Sequence, residues 1–511
     1  MVARNPAARR LFLATGAAAL ALTAQACGEP RAVRFITMDA PSFAIVHVRV
    51  IDGTGAPGRD DQTVVVQGGR IVAAGSAATV RPPTGARIID GKGRTVIPGL
   101  VGMHEHLFYQ DGYLAQAPFA RLYLASGVTT IRTAGAVDFA ADRRIKEQID
   151  AGRLPGPKIH LTGGYLHTRG GDQDPERIAQ TVNAQADAGA TSFKAYMTLR
   201  SSELKAAIQA AHARGLKITG HLCAVGFREA AAMGIDNLEH GLAADTEFYS
   251  GKQPDVCPEQ YVYELTGVDV ETDGGIRRTI ADLVRHDVAI TSTLAVYESF
   301  TGEDGANDSR VPAMLASRVR STYDAALPGW QDRTSRRAQM WQAMLSREMQ
   351  FERRFVAAGG RLLAGVDPTG WGGVLAGFGD QRELELLVEA GFTPETAIRI
   401  ATANGADFLN ETNEIGTIEA GRRADLVLLR GNPSVNISDV RNVEMVFKDG
   451  AGYDPAALVA ATTGTVGQYD PLAIFRWPFN VILLGILALF GLRIWSHRRR
   501  RRQAIASEVA A

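Results

Sequence analysis

Between residues 42 and 97 the chain runs through short stretches of alternating apolar and polar residues, "AIVHVRVID", "QTVVVQGGRIVAAG" and "ARIIDGKGRTVIPG", punctuated by glycine. Period-two alternation bounded by turn residues predicts antiparallel strands and hairpins. The same texture returns near the end in "ADLVLLRGN" and "VEMVFKDG", so one small β-sandwich domain is expected from both flanks, 42–97 and 413–450. Between the flanks the pattern changes to apolar runs without alternation: "VIPGLVGMH", "GVTTIRTAG", "KIHLTGG", "TSFKAYM", "LKITGHL", "IDNLEHG", "VAITSTLAV" and "RLLAGVD". Such runs read as strands buried on both faces. Segments between them, "SSELKAAIQAAHARG" and "QMWQAMLSREMQFERRFVAAGG" among them, repeat their apolar positions at helical spacing and stop at glycine. Strand and helix alternating eight times predict an α/β protein, a (β/α)8 TIM barrel over 98–412, with functional side chains at the C-terminal ends of its strands. An open doubly wound sheet satisfies the same alternation, but no glycine-rich nucleotide loop follows the first strand. Segments 241–287 and 295–360 are too long for plain connections and are expected to hold inserted helices over that face. Residues 451–472 read as a linker with one short helix.

The two ends change the picture from a barrel alone to a barrel with an address. Residues 1–26, "MVARNPAARRLFLATGAAALALTAQA", combine a basic start, a short apolar stretch and small residues before a cleavage point, the layout of an export signal. Within it Arg9 to Leu13, "RRLFL", resembles a twin-arginine motif without the Ser or Thr that precedes the arginine pair; general secretion fits as well. Cys27 lacks the leucine of a lipobox three residues upstream, which favours cleavage without lipidation. Residues 473–497 include "WPFNVILLGILALFGLRIW", long and apolar enough for a transmembrane helix with tryptophan at both ends. The basic tail 498–511 opens with five arginines, and positive flanks stay cytoplasmic. The expectation is a single-pass cell-membrane protein with an exported body and a cytoplasmic C-terminus. Over its 511 residues the chain has 55 Lys plus Arg against 55 Asp plus Glu, so no net field points to nucleic acid. Cys223 and Cys257 are the cysteines left after the signal and Cys27; a disulfide framework is not expected from them, and Cys223 reads as a small buried thiol.

The candidate chemistry lies at the strand ends. In "GMHEH" His104 and His106 share one strand face while Glu105 takes the other. The fifth and sixth strands end at His221 and His240, the eighth at Asp367, and the fourth carries Lys194. Imidazoles with a carboxylate are the donors that zinc and similar divalent metals prefer. Lys194 does not fit as an ammonium, which only donates and would repel a cation.

The set "PGLVGMHEH", "FKAY", "GH", "EHG" and "AGVD" resembles the amidohydrolase superfamily in its binuclear branch, and the likeness covers residues 42–450. The resemblance implies that Lys194 is carboxylated by CO2 and bridges two divalent metal ions, zinc by default. It places His104, His106 and Asp367 on the first metal and His221 and His240 on the second. A hydroxide held between such metals would attack a carbonyl carbon. Asp367 is then the expected catalytic proton carrier, accepting the hydroxide's proton and handing it to the leaving nitrogen.

Deaminases of the superfamily carry an acid at a H-x-x-E offset, where "HLCA" has Ala224. The closer likeness is to prolidase-like members, and proteins named after imidazolonepropionase are similar. Tyr196, on the face of Lys194, matches a family tyrosine that hydrogen-bonds substrate. His167 and Arg169 in "YLHTRGGD" are candidates for meeting a substrate carboxylate. The sequence therefore predicts a metal-dependent hydrolase of C–N bonds in a small-molecule or dipeptide-like substrate: peptide-like, N-acyl amino acid or cyclic amide. An exported esterase, lactonase or phosphotriesterase and a catalytically silent scaffold relative are the alternatives, and the oligomeric state is open.

Overall fold

A computed structural model describes residues 32–108, 117–168, 174–259, 261–303, 308–368 and 372–468, and of the C-terminal segment 485–487, 489–490 and 492–496. The export signal, Arg169, most of 473–497 and the basic tail lie outside the described residues.

The N-terminal flank supplies six strands: β1 (Ile36–Met38), β2 (Ser42–Val50), β3 (Arg59–Gln67), β4 (Arg70–Ser76), β5 (Arg87–Asp90) and β6 (Arg94–Pro98). Eight more follow: β7 (Leu100–Glu105), β8 (Val128–Thr133), β9 (Lys158–His160), β10 (Ser192–Ala195), β11 (Lys217–Gly220), β12 (Asn237–Glu239), β13 (Ala289–Ser292) and β14 (Leu362–Ala364). The C-terminal flank closes with β15 (Leu426–Arg430), β16 (Val443–Lys448) and β17 (Ala451–Tyr453).

The two flanks share one nine-stranded sheet, ordered β1-β17-β16-β15-β6-β2-β3-β4 with β5 beside β2. β15 pairs antiparallel with β6 from Leu426 against Pro98 to Arg430 against Arg94. The side chains of this sheet form their own core, in which Phe43 stacks on Phe447 with ring centroids 4.8 Å apart. The sheet reaches further than 42–97 and 413–450 at both ends. β1 starts before residue 42 and pairs with β17, so 451–472 is not a free linker: Ala451–Tyr453 adds a strand, and the helix Pro455–Ala460 packs on the helix Ala117–Ala125. A capping aspartate starts that short helix, Asp454 accepting from the amides of Ala456 and Ala457.

The eight middle strands are parallel, in chain order, and nearly all buried. They hydrogen-bond as two sheets, β7-β8-β9 and β10-β11-β12-β13-β14. Single bridges, Thr162 to Ser192 and Leu166 to Ala195, join one seam. At the other, the amide of Asp367 donates to the carbonyl of His104 at 3.0 Å. Gly365 makes that approach possible: a Cβ there would lie 2.4 Å from the Cβ of His104. The long segments hold inserted helices, Gly274–Arg285, Ser317–Trp330 and Arg336–Ala357. Among the described residues no helix is long and apolar enough to cross a membrane.

One expectation is overturned. Cys223 and Cys257 form a disulfide across 34 residues, with Cα atoms 4.8 Å apart. Their spacing gives no hint of this because the fold-back is tertiary. After β12 the chain turns through two short 3₁₀ segments, Gly241–Ala244 and Thr246–Phe248. The Thr246 hydroxyl donates to the Cys223 carbonyl at 2.8 Å and the Lys252 ammonium to the Ala224 carbonyl at 2.6 Å, and Cys257 arrives beside Cys223. Replacing both cysteines by serine is expected to remove about 2–4 kcal/mol of stability, read as a lowered Tm. Alkylation of the unreduced wild-type protein is expected to leave both cysteines unlabelled.

Candidate metal centre

Each candidate donor stands one to three residues past the C-terminal end of its strand, save His104 and Lys194, which lie within β7 and β10. His104 is inside β7 and His106 just beyond it; Lys194 is the third residue of β10; His221 and His240 directly follow β11 and β12; Asp367 is three residues past β14. The structure brings all six together. His104, His106 and Asp367 offer ligand atoms all within 4.8 Å of one another, with His106 Nε2 3.1 Å from Asp367 Oδ1. His240 stands over the same point, its Nε2 3.9 Å from Asp367 Oδ2 and its ring 4.5 Å from that of His104. His221 packs on His240 at 4.4 Å between ring centroids.

Two of these donors are in backbone conformations that L-residues avoid. His240 has φ +72° and Asp367 φ +45°, in the left-handed region where side chains other than glycine are strained. Such strain persists where surrounding contacts over-determine it, commonly at functional sites. The His240 carbonyl accepts from the Tyr297 hydroxyl at 3.0 Å, and its Nδ1 lies 2.9 Å from Thr293 Oγ1.

Beneath the donors lies a residue the sequence reading passed over. Glu239, fully buried, accepts from His104 Nδ1 at 2.8 Å, from Arg132 Nη2 at 2.7 Å and from the Thr219 hydroxyl, and stands 3.7 Å from Lys194 Nζ. Burial pushes its carboxyl up, but the charges of Lys194 and Arg132 and the His104 ring that donates to it outweigh that and hold it well below the usual carboxylate range. An ionised Glu239 fixes the proton of His104 on Nδ1, which leaves Nε2 free to face the site. The sequence does carry a signal for it. Arg132 in "GVTTIRTAG" and Glu239 in "IDNLEHG" are opposite charges inside apolar strands, and buried charges occur in pairs.

The environment favours ligand forms. Burial lowers His104 to about 4 and His221 to about 3, with the Lys194 charge adding to both, and burial and the neighbouring His221 and His104 take His240 well below its usual range. Burial raises the Asp367 carboxyl, yet His104, His106 and His240 hold it well below its ordinary value. Burial brings the Lys194 amine down to about 8 against the pull of Glu239. Neither Lys194 Nζ nor His240 Nε2 makes a hydrogen bond to any described residue. Buried neutral imidazoles, a carboxylate and the unpartnered Nε2 of His240 fit divalent ions.

Of the substrate-binding candidates, Tyr196 borders this centre, and Arg169 lies outside the described residues. Tyr196 sets its ring edge against His221 at 5.4 Å and packs on Tyr165 at 4.9 Å. His167, half-buried, follows the strand-like bridge of Leu166 to Ala195. Glu105 faces away from the donors, as expected from strand alternation, and accepts from the Tyr123 hydroxyl at 2.8 Å. Ala224, at the offset where an acid would stand, is buried.

Comparisons with known proteins converge on one family. A family model described as "Amidohydrolase family" matches residues 95–246 and 353–451. Adenine deaminase 3 of Rhizobium johnstonii (strain DSM 114642 / LMG 32736 / 3841) is 27% identical over 225 residues, 40% of this chain and 37% of that protein. Adenine deaminase 2 of Bradyrhizobium sp. (strain ORS 278) is 26% identical over 223 residues, 40% of this chain and 36% of that protein. The chain thus matches little more than a third of the length of these curated relatives. Among solved structures, a putative prolidase from Bifidobacterium longum superposes with a TM-score of 0.60 at 24% identity, covering 82% of this chain and 98% of that one. A Xaa-Pro dipeptidase with bound methionine gives 0.60 at 22%, covering 81% and 100%, and bottromycin amidohydrolase gives 0.63 at 20%, covering 85% and 94%. At these identities the likeness is one of fold. The two matched segments carry every donor that meets in the centre, and the chain belongs to the amidohydrolase superfamily.

Proposed function

We propose that this protein is a two-metal amidohydrolase that cleaves the C–N bond of a peptide-like substrate, a dipeptide or N-acyl amino acid, or of a cyclic amide. The observation that carries the reading is the meeting of six donors at the ends of β7, β10, β11, β12 and β14. The strand order, with bridges at one seam and the His104–Asp367 backbone contact at the other, supports a closed (β/α)8 barrel that aims them inward. His104, His106 and Asp367 would hold one divalent ion, zinc by the nature of the donors, and His221 and His240 a second. Lys194 would stand between them as a carbamate. Its lowered basicity, about 8, supports this, because only the neutral amine adds CO2: an N–C bond forms and one N–H proton leaves. Bound ions of this kind lower the pKa of water toward neutrality and polarise a carbonyl.

Asp367 is kept ionised, and 18% of its side chain is exposed against 3% or less for His104 and His106. It takes the proton of the attacking water and delivers it to the leaving nitrogen. Tyr196 orients the substrate from above His221; His167 and Arg169 meet its carboxylate. The prolidase and Xaa-Pro dipeptidase among the fold neighbours support a peptide-like substrate. Likeness to adenine deaminases favours a second reading, deamination of a heterocyclic amine, and Ala224 at the acid's usual offset weighs against it.

Elemental analysis of the purified protein is expected to give two metal equivalents, both lost or sharply reduced in Lys194→Ala. Wild-type protein that stays metal-free after incubation with zinc and bicarbonate would end the proposal. A panel of dipeptides, N-acyl amino acids, cyclic amides, esters, lactones, phosphotriesters and adenine separates the substrate classes: released amino acid supports the first reading, ammonia from adenine the second. Glu239→Gln would leave Arg132 buried without its charge partner and is expected to cost about 3–5 kcal/mol, measured by chemical denaturation of the apoprotein.

We also propose that the body is exported and held by a single C-terminal membrane helix. The large apolar residues at 486, 487, 489, 490, 492, 494 and 495 lie in helical stretches and are exposed, which fits lipid as their surroundings. The Cys223–Cys257 disulfide supports an oxidising compartment. In cell fractionation the full chain is expected in carbonate-washed membranes and a variant ending at residue 472 in the soluble fraction; equal partition of the two would dismiss the anchor.

A further inference from the structure

His240 draws little support from its own strand. β12 is three residues long, His240 follows it at φ +72°, and Gly241 continues at φ +60°. Two consecutive left-handed residues hold a position only when contacts from outside fix them. Those contacts come from two buried carboxylates on helices remote in sequence.

The first is Glu348, fully buried in the helix Arg336–Ala357. Its Oε1 accepts from the amide of Leu242 at 3.1 Å and its Oε2 from that of Ala243 at 2.8 Å. It grips the turn directly after His240 by both oxygens. The space that a Cβ on Gly241 would occupy is filled by the same Oε1, 1.8 Å from that position, so the turn is shaped to the carboxylate.

The second is Glu383, buried in the helix Phe378–Glu389. It accepts from the Ser292 hydroxyl at 2.6 Å, the Leu294 amide at 3.2 Å and the Ala295 amide at 2.8 Å. Leu294 and Ala295 open the short helix Leu294–Glu298, whose N-cap residue is Thr293. A threonine in that place ordinarily caps the helix with its own hydroxyl. Here the carboxylate from another helix satisfies those amides, Thr293 makes no side-chain cap, and its hydroxyl lies against His240 Nδ1 instead. Tyr297, on the same short helix, donates to the His240 carbonyl.

We propose that Glu348 and Glu383 are positioning residues for the second metal: through the 241–243 turn and through Thr293 they fix the backbone and ring of His240, and neither touches the metal or substrate. The inference rests on the two-metal reading above.

The test is metal stoichiometry and affinity, by elemental analysis after equilibrium dialysis against buffered zinc, for wild type, Glu348→Gln, Glu383→Gln and Thr293→Val. Glutamine keeps the shape of each side chain but turns one amide group, a donor, toward a backbone N–H. In Glu348→Gln and Glu383→Gln the second equivalent is expected to weaken on the order of 10–100-fold, while the first, held by His104, His106 and Asp367, keeps its wild-type affinity. Thr293→Val removes only the hydroxyl from His240 Nδ1, preserves side-chain volume, and carries the test if either carboxylate variant fails to fold; it is expected to show the same selective loss. A merely structural role would lower the melting temperature of the apoprotein and leave both equivalents bound as in wild type. Folded variants that keep the second metal at unchanged affinity overturn the inference, whereas wild-type protein that binds no metal pair overturns the two-metal reading itself.

Discussion

The buried carboxylate of Glu239 is the contact on which the centre depends. It sits where β7, β8, β10, β11 and β12 face one another and holds a group from each neighbour: an imidazole, a guanidinium, an amine and a hydroxyl. Each cation alone would be costly in that interior, and so would the carboxylate. Together they balance, and the balance requires the five strands to keep one register. A slip of one residue in any of them would turn its charged member to the opposite face. The site and the fold are therefore specified by the same interaction.

Above that layer the donors divide by how they are held. His104 is anchored through Glu239 and its own strand; His106 and Asp367 follow strands that meet where Gly365 lets two backbones touch. His240 is held from outside, by the inserted helix Arg336–Ala357 and by the helix Phe378–Glu389 that follows β14. The precise part of the centre grows from the strands, and the adjustable part from the connections, as expected of a scaffold whose loops vary.

The alternation of buried strands with helices is legible in the sequence because strands covered on both faces leave uninterrupted apolar runs. Each of the eight runs contains an observed strand. The donors are legible for the same reason: a histidine or aspartate at the end of such a run has no packing role to explain it. Glu239 and Arg132 are harder, since recognising them requires knowing that β8 and β12 place opposite charges within 2.7 Å. Glu348 and Glu383 are harder still, because a glutamate in an amphipathic helix looks like any solvated position until its partners are known. The disulfide belongs with these: proximity across 34 residues is a product of the turn after β12, and no local pattern announces it.

The nine-stranded sheet has a consequence in time. Its central pair joins β6, completed at residue 98, to β15, which begins at residue 426. While a ribosome works through the eight middle strands, β6 has no antiparallel neighbour from the far flank, and contacts so distant in sequence are slow to form. The polypeptide cannot finish maturing until its last sixth emerges, and a chain released early would carry a raw sheet edge, the kind of surface on which nascent proteins aggregate.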